Sequence, residues 1–335
     1  MWFHDLMGFS ETSGNQVRAN LVVADARMTS KVNGATYGCG HLETPSLGEL
    51  RSQARPLIHC DAPPSVQEIV ADVQQLHQQE SSRDAVFQVA SQFNLLEMVS
   101  PNRTPDEGVG IYEFDRTQGP ACAIACGAGT IYRNYFASVD SDLGGGAQVG
   151  QTKECQIDCL AEMGTALGND NDRLWTMQNG YALATGEGLV EISQQLKSRD
   201  ANGLEQLRAA LRIGVHRDVQ VTLGNCQHCV TQVYASALPV AYSKHSESAW
   251  RDFACVVLEA AYEATLCAAQ INFAATGNNQ VFMTLLGGGA FGNQYEWIFS
   301  AIKRVCKMDV ACGLDLSIVS YGGPNRYVNA FIENL

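Results

Sequence analysis

The sequence has no excess of basic residues and carries only a modest amount of charge. Its 335 residues include 22 Lys and Arg against 35 Asp and Glu, which gives a formal net charge of −13 at pH 7. A surface of this sign repels nucleic acid and anionic membranes at long range, so we expect no extended nucleic-acid groove and no membrane binding. A single pocket built from backbone amides can still hold a phosphorylated ligand.

The chain also lacks an uninterrupted apolar run of about 18 residues, the length that a membrane-spanning helix needs. Its start, MWFHDLMGFS, has neither the basic end nor the apolar block of a signal peptide. We therefore expect a soluble intracellular protein, cytoplasmic or nuclear. A hydrophobic content of 46% is enough for the buried core of one large domain or two smaller ones.

Spacings typical of metal sites are scarce, and we expect neither a metal nor a cofactor. The seven histidines do not follow the two-histidine helical spacings of zinc enzymes. Cys226 and Cys229, with His228 between them, form half of a zinc-ribbon pattern without a second pair. They leave open a Cys–His hydrolase or transferase. In a chain of this size, twelve cysteines are best interpreted as reduced, mostly buried thiols.

Apolar periodicity predicts strands that alternate with helices, and this order favours a mainly parallel or mixed sheet covered on both faces. A short helix is expected after Ser46, and Ser65 is expected to cap an amphipathic helix. Strands are predicted at 85–94, 219–224, 228–242, 280–286 and 314–321. Further helices are predicted at 65–79, 155–167, 188–197, 203–212, 249–269 and 296–305.

The stretch MTLLGGGAFGNQYEW, 283–297, combines the end of a predicted strand, a glycine loop and the start of a helix. Glycines there allow positive φ and close approach of a ligand, while the helix N-terminus attracts an anion, so the loop predicts a phosphate site or else a plain tight turn. Gly287, Gly289 and Gly292 also satisfy the dinucleotide pattern. Its late position disfavours a nicotinamide or flavin site, as does Asp315, which begins the next apolar run instead of ending it.

A second candidate loop, GIYEFDRTQG at 110–119, places Glu113 and Asp115 directly before a helix start. A carboxylate presented there can transfer a proton to a bound substrate, and Thr117 and Gln118 can donate hydrogen bonds. Taken by themselves, these acids are explained better by ordinary helix capping.

From about Ala85 to Tyr321 the order of these pieces resembles the macrodomain family, which binds ADP-ribose, and particularly its poly(ADP-ribose) glycohydrolase-like branch. VASQFN at 89–94 is similar to the strand that ends in a ribose-contacting asparagine. The loop at 110–119 stands where the first, catalytic loop is expected. The most specific part is the C-terminal run, which consists of the strand VTQVYASALPVAY, the helix ending YEATLCAA, the strand QVFMTLL and the loop GGGAFGN. The branch's Gly-Gly-Gly followed by Gln-Glu-Glu is absent, and GGGAQVGQTKE at 144–154 is only a partial echo.

The resemblance implies a three-layer αβα macrodomain-like fold with a mixed sheet. Residues 1–84 would form an N-terminal extension packed on the core, and 85–335 the core itself, with a helical insertion at about 140–215.

The resemblance also implies an ADP-ribosyl glycohydrolase that cleaves the glycosidic bond at the distal ribose of an ADP-ribose conjugate. Glu113 is the first choice for the catalytic acid, Asp115 the second, and Glu154 a more distant third. A non-catalytic ADP-ribose reader and the Cys–His hydrolase are the alternatives. The expected substrate-binding residues are Gln92, Asn94, Thr117, Gln118, Gly119, Gly287, Gly288, Gly289, Ala290, Phe291, Gly292 and Asn293.

Overall fold

A computed structural model describes residues 1–59, 62–139 and 148–335 of the chain. Its helices are, in chain order, α1 (Trp2–Met7), α2 (Gly14–Asn20), α3 (Leu47–Ala54), α4 (Val73–Gln78), α5 (Gln118–Ala125), α6 (Gly127–Tyr135), α7 (Ala161–Leu167), α8 (Gly186–Ser198), α9 (Ala201–Ala209), α10 (Glu247–Thr276), α11 (Tyr295–Cys306) and α12 (Arg326–Glu333). Its strands are β1 (Leu21–Ala24), β2 (Arg27–Ser30), β3 (Thr36–Gly38), β4 (His41–Glu43), β5 (Ser65–Val70), β6 (Val86–Ala90), β7 (Ser138–Val139), β8 (Gln148–Val149), β9 (Trp175–Gln178), β10 (Tyr181–Ala184), β11 (Gly214–Gln220), β12 (Cys229–Ala235), β13 (Gln280–Met283) and β14 (Asp315–Ser320).

The main sheet has seven strands in the order β4-β11-β12-β6-β13-β14-β5. The five strands from β12 to β5 run parallel to one another, while β11 is antiparallel to both of its neighbours. The sheet is therefore mixed, as predicted. Because the carboxyl ends of parallel strands meet at one edge, the loops that follow β12, β6, β13 and β14 lie together there. This edge is called the carboxyl edge below.

Helices cover both faces of this sheet. The side chains of consecutive strand residues point to opposite faces. On β6, Phe87 stacks on His77 of α4 at a ring-centroid distance of 3.7 Å. The next residue, Gln88, donates a hydrogen bond from Nε2 to Thr265 Oγ1 of α10 at 2.9 Å. Helices α4 and α10 therefore lie on opposite faces, which confirms the three-layer α/β architecture.

The long apolar helix α10 forms the centre of its layer. By length and hydropathy it could cross a membrane, but 83% of its most apolar window is buried inside the protein. The carboxylate of Glu263 on α10 accepts hydrogen bonds from Arg51 of α3 at 2.5 Å and from Arg304 of α11 at 2.7 Å. These ion pairs, in which Glu263 is buried and both arginines are partly exposed, hold α10 between the two neighbouring helices. The apolar character of α10 is accounted for by core packing.

The predicted helix over 65–79 is wrong in its first half. Residues Ser65–Val70 form the edge strand β5, which pairs with β14 along its whole length. Only Val73–Gln78 is helical, and its cap is Asp72, whose side chain accepts the Gln74 amide at 2.7 Å, not Ser65. The apolar residues of 65–70 fit a helical period locally, but a ladder of backbone hydrogen bonds to a distant strand overrides that preference.

The N-terminal residues form part of the sheet as well as a covering layer. Strands β4 and β5 are its two edges. Residues 1–40 form α1, α2 and the small sheet β1-β2-β3, and they pack on α5, α6 and segment 96–112 as a second core. The buried members of this core are Phe3, Leu6, Met7, Phe9, Val17, Leu21, Met28, Cys39, Leu96, Met98, Val109, Tyr112, Ala123, Ala128, Ile131 and Tyr135. The domain boundary at residue 84 stays a prediction, and the main sheet crosses it.

Candidate functional site

The glycine loop, residues 287–293, connects β13 to α11 at the carboxyl edge. Gly287 and Gly292 both have φ of 72°, a left-handed conformation that favours glycine. A Cβ at Gly287 would lie 2.5 Å from the Cβ of Ala237, so the close approach of the neighbouring loop also requires glycine. Two hydrogen bonds close the turn, from the Gly292 amide to the Gly289 carbonyl at 3.0 Å and from the Asn293 amide to the Gly287 carbonyl at 2.9 Å.

Three consecutive amides at the tip of this loop are free. Among the described residues, no acceptor lies opposite the N–H groups of Gly289, Ala290 and Phe291. Gly289 and Ala290 are exposed, and a Cβ at Gly289 would meet nothing within 4 Å. Helix α11 follows without a side-chain cap on its first turn. Free amides next to a helix N-terminus attract an anion, which is the arrangement that the predicted phosphate loop needs.

The remaining groups of the loop are fixed to the segment that follows β12. The side-chain amide of Asn293 donates to the Leu238 carbonyl at 2.8 Å, and the Phe291 carbonyl accepts the Ala241 amide at 3.0 Å. The Phe291 ring packs against Tyr181 and Tyr242 with centroid distances of 5.2 and 5.6 Å. The loop is therefore held rigidly except at its exposed amides.

The loop at 110–119 reaches the same edge of the sheet through Gln118. The Oε1 atom of Gln118 accepts the Ala90 amide at 2.9 Å, and its Nε2 atom donates to the Gln88 carbonyl at 2.8 Å. A Cβ at Gly119 would lie 2.0 Å from the Ala90 carbonyl oxygen, so α5 starts directly against the end of β6. Since β6 pairs with β13, the N-terminus of α5 and the glycine loop stand at the ends of neighbouring strands. Thr117 is exposed there and makes no side-chain cap on α5.

The two acids of this loop face different neighbours. Glu113, in the 3-10 helix Gly110–Phe114, accepts the Trp2 amide at 3.3 Å and so caps the first turn of α1. Asp115 accepts the Thr117 amide at 2.8 Å through Oδ1, and Oδ2 has no protein donor among the described residues. Burial raises the pKa of Tyr181, and the charges of Tyr242 and Asp115 add to the rise. The charge of Asp115 therefore reaches the tyrosine that packs against Phe291, and the ranking of the two acids stays a prediction.

The side chains of Gln92 and Asn94 accept hydrogen bonds within the turn that follows β6. The Oε1 atom of Gln92 accepts the Met98 amide at 2.8 Å. Asn94 is fully buried, accepts the Leu96 amide at 3.1 Å and donates to Gln156 at 2.8 Å. These bonds stabilise a turn that contains a non-glycine residue with positive φ, Leu95 at 63°. Both side chains thus bond within the protein in this structure, and their contact with a ribose stays a prediction.

The segment GGGAQVGQTKE, 144–154, which partly resembles the branch's motif, is described by the structure from residue 148 onward. The triplet Gly144 to Gly146 lies outside the described residues. Gln151 is buried, and its Nε2 atom donates to the Asn94 carbonyl at 3.0 Å and the Arg133 carbonyl at 3.2 Å. Glu154 is exposed. Gln151 is therefore a structural link between the turn after β6 and α6.

The contacts of His228 and Cys229 do not favour a nucleophilic site. His228 is buried, with Nε2 at 2.8 Å from the His77 carbonyl and Nδ1 at 3.3 Å from a Glu80 carboxylate oxygen. Burial raises the pKa of the Cys229 thiol, which disfavours the reactive thiolate. The cluster also lies where β12 begins, away from the carboxyl edge. Across the described residues, no three possible metal ligands lie together.

Sequence reasoning missed Tyr321, which follows β14 at the carboxyl edge and is 79% exposed. Glu68 of β5 fixes this turn, because its carboxylate accepts the Ser320 hydroxyl at 2.5 Å and the Asn325 amide at 2.6 Å. The signal in the sequence is an aromatic residue between a strand and Gly-Gly-Pro. Since β14 is the neighbour of β13, the exposed ring and the glycine loop belong to adjacent strands.

Comparison with known proteins gives a distant structural likeness only. No protein-family model matches the chain, and no curated protein matches it. The fold is similar to a solved poly(ADP-ribose) glycohydrolase from Thermomonospora curvata, at 10% identity and a TM-score of 0.48, covering 96% of this chain and 95% of that one. It is also similar to the enzyme from Deinococcus radiodurans in complex with ADP-ribose, at 10% identity and a TM-score of 0.46, covering 88% and 94%. At this identity and TM-score the likeness supports no inference about activity.

Proposed function

We propose that this protein is an ADP-ribosyl glycohydrolase, which holds the ADP-ribose part of a conjugate at the carboxyl edge and cleaves the glycosidic bond at the distal ribose. The observation that carries the proposal is the row of free amides at Gly289, Ala290 and Phe291. Three free donors in a rigid turn suit a diphosphate, and the net charge of −13 disfavours a longer polyanion.

The surroundings of these amides suit the rest of the ligand. The N-termini of α5 and α11 come from opposite layers and add positive dipole ends on two sides of the diphosphate. Tyr321, on the β14 side, offers an exposed ring on which an adenine can stack. Phe291, on the other side, faces Tyr181 and the Asp115 loop, where the distal ribose would lie.

Asp115 is then the residue that performs the chemistry. Cleavage at the distal ribose passes through an oxocarbenium-like state, so a carboxyl group near the leaving atom accelerates it. In the proposed reaction the glycosidic bond breaks and the leaving group takes a proton from the carboxyl group of Asp115. Water then adds its oxygen to the ribose carbon and gives one proton back to the same carboxylate. The free Oδ2 atom of Asp115 is available for both proton transfers.

Calorimetry with ADP-ribose, ADP and NAD tests the binding part of the proposal. ADP-ribose should bind more tightly than ADP, because ADP keeps the diphosphate contacts but lacks the distal ribose. No heat from any of the three at millimolar concentration would overturn the proposal.

A non-catalytic reader is the second candidate, favoured by the commitment of Glu113 to the Trp2 amide, which leaves one acid at the site. Incubation with a mono-ADP-ribosylated peptide and with poly(ADP-ribose) separates the two functions. Release of free ADP-ribose from either supports the enzyme. Tight binding of ADP-ribose without release from either conjugate supports the reader.

A further inference from the structure

Glu11 connects the N-terminal extension to the loop that carries Asp115. Its carboxylate accepts three hydrogen bonds, from the Val109 amide at 3.0 Å, from the Gly110 amide at 2.6 Å and from the Tyr135 hydroxyl at 2.6 Å. These three contacts are called the Glu11 anchor below. The two amides stand at the beginning of the 3-10 helix Gly110–Phe114, so the negative charge of Glu11 lies at its positive end.

Two glycines of the loop, Gly108 and Gly110, leave the space that this carboxylate occupies. A Cβ at Gly110 would lie 2.7 Å from Glu11 Oε2, and a Cβ at Gly108 would lie 2.5 Å from Glu11 Cδ. Any larger residue at either position would displace the carboxylate. Glycine is therefore required at both positions for a steric reason that does not depend on a bound ligand.

The extension holds the same 3-10 helix at its other end. The Trp2 amide donates to Glu113, three residues after Gly110. Between these two contacts, Val109 and Tyr112 are buried in the second core against α1. The segment that leads into Asp115 is therefore bound to residues 1–11 at both ends. Its middle is held to the turn after β6, because the Tyr112 hydroxyl accepts the Glu97 amide at 3.0 Å, and Gln118 binds β6 itself.

We propose that Glu11 is a positioning residue, which sets the segment 109–117, and with it Asp115, against the glycine loop. The part of this inference that concerns turnover rests on the proposed function. The part that concerns the position of the segment rests only on the contacts above. Glu11 itself touches no part of the proposed ligand site, so its effect on chemistry must pass through Asp115.

The charge and both oxygens of Glu11 are needed for the anchor. Burial, together with the neighbouring Glu11 charge, raises the pKa of Tyr135, so its hydroxyl stays protonated and donates. With three donors facing it, a glutamine at position 11 keeps one acceptor oxygen and turns an NH2 group toward a donor. Glu11→Gln therefore breaks the anchor without removing volume from the core.

Hydrogen exchange and kinetics on Glu11→Gln test the proposal together. Exchange of the Val109 and Gly110 amides should become about tenfold faster or more, as expected for the loss of a local hydrogen bond. The kcat for ADP-ribose release should fall about tenfold or more, since a small displacement of a catalytic group is costly. The Kd for ADP-ribose should stay within about threefold, because the glycine loop keeps its contacts. Glu43→Gln, an exposed acid of the same extension, is the matched control and should change none of these.

Two further variants keep the test decisive if Glu11→Gln fails to fold. Tyr135→Phe removes one of the three donors and should give a smaller change in the same direction. Gly110→Ala displaces the carboxylate from the loop side and should reproduce the split between kcat and Kd.

Unchanged exchange at 109–110 in a folded Glu11→Gln or Tyr135→Phe protein would overturn the anchor. Faster exchange with an unchanged kcat would overturn its positioning role. If the parent protein releases no ADP-ribose, the proposed function fails, while the exchange result still decides the anchor.

Discussion

The side chain of Gln118 spans the end of β6, with its Oε1 atom 2.9 Å from the amide of Ala90. This contact fixes the start of α5 at the end of β6, the neighbour of the strand from which the glycine loop continues. The sequence predicted Gln118 as a ligand contact, whereas its polar atoms are occupied by the backbone of β6.

The first prediction follows from that contact. Gln118→Ala leaves the Ala90 amide and the Gln88 carbonyl without partners, which should lower the free energy of unfolding by about 1–3 kcal/mol. Urea unfolding measures the change. Gln227→Ala, where the exposed side chain bonds only to the nearby Asn225 carbonyl, is the control and should cost less than about 0.5 kcal/mol. Equal effects of the two substitutions would contradict a bridging role.

The second prediction concerns the glycine loop. Ala290→Pro removes the N–H group at the centre of the three free amides and should weaken ADP-ribose binding about tenfold. Gly289→Ala keeps all three amides and adds a methyl group where nothing lies within 4 Å, so it should bind within about twofold of the parent. Calorimetry on both variants provides the measurement. A tight-binding Ala290→Pro protein would exclude this amide from the site.

The third prediction separates the two acids. Asp115→Asn should lower release of ADP-ribose by about a hundredfold or more and leave the Kd for ADP-ribose nearly unchanged. Glu113→Gln should retain most of the turnover, because its carboxylate caps α1 through Trp2 and not the substrate. Initial rates from a mono-ADP-ribosylated peptide and from poly(ADP-ribose) decide between them. Loss of turnover in Glu113→Gln alone would restore the ranking that the sequence predicts.

The fourth prediction concerns the thiols. Cys229→Ser should leave turnover within about twofold, because burial disfavours the thiolate of Cys229. Cys229 also begins β12 and so lies at the edge of the sheet opposite the carboxyl edge. A steady-state assay of the purified variant is sufficient. Abolished activity with intact ADP-ribose binding would instead support the Cys–His hydrolase.

The fifth prediction concerns pH. Burial lowers the pKa of His77 to about 4 and that of His216 to about 3, and neither ring nitrogen of His216 has a partner among the described residues. Both groups are neutral in the folded protein and gain a proton on unfolding below their ordinary pKa. Stability should therefore be complete above about pH 6.5 and fall by roughly 1 kcal/mol per pH unit for each group as the pH drops toward the folded values.

Urea unfolding of His216→Leu measures this effect. The slope of stability against pH between 6 and 4 should become shallower than in the parent, because one of the two groups no longer titrates. His4→Gln, an exposed histidine in α1, is the control and should keep the parent slope. A parallel slope in His216→Leu would show that acid sensitivity has another source.

The glycine loop could be predicted from the sequence because its requirements are local. Gly287 and Gly292 have positive φ, and a Cβ at Gly287 would clash with Ala237. These positions therefore favour glycine, which is visible in the sequence itself. The strand before it and the helix after it have clear periods. The three-layer α/β architecture was predictable for the same reason, since most elements alternate in a regular order.

The ranking of Glu113 and Asp115 could not be obtained in this way. It depends on the Trp2 amide, 111 residues away along the chain, and on Tyr181, which belongs to the β9-β10 hairpin. The same limit explains β5, whose pairing partner β14 lies some 250 residues later. A local sequence pattern does not record such contacts, so a strand resembled a helix and the contact of Glu113 with α1 was not foreseen.

Hydrogen exchange of the glycine-loop amides, with and without ADP-ribose, tests the central claim most directly. At saturating ligand, exchange at Gly289, Ala290 and Phe291 should slow markedly, while the Gly292 amide, already bonded to Gly289, should change little. Unchanged exchange at all three free amides under conditions where ADP-ribose is bound would show that the diphosphate lies elsewhere and would contradict the account.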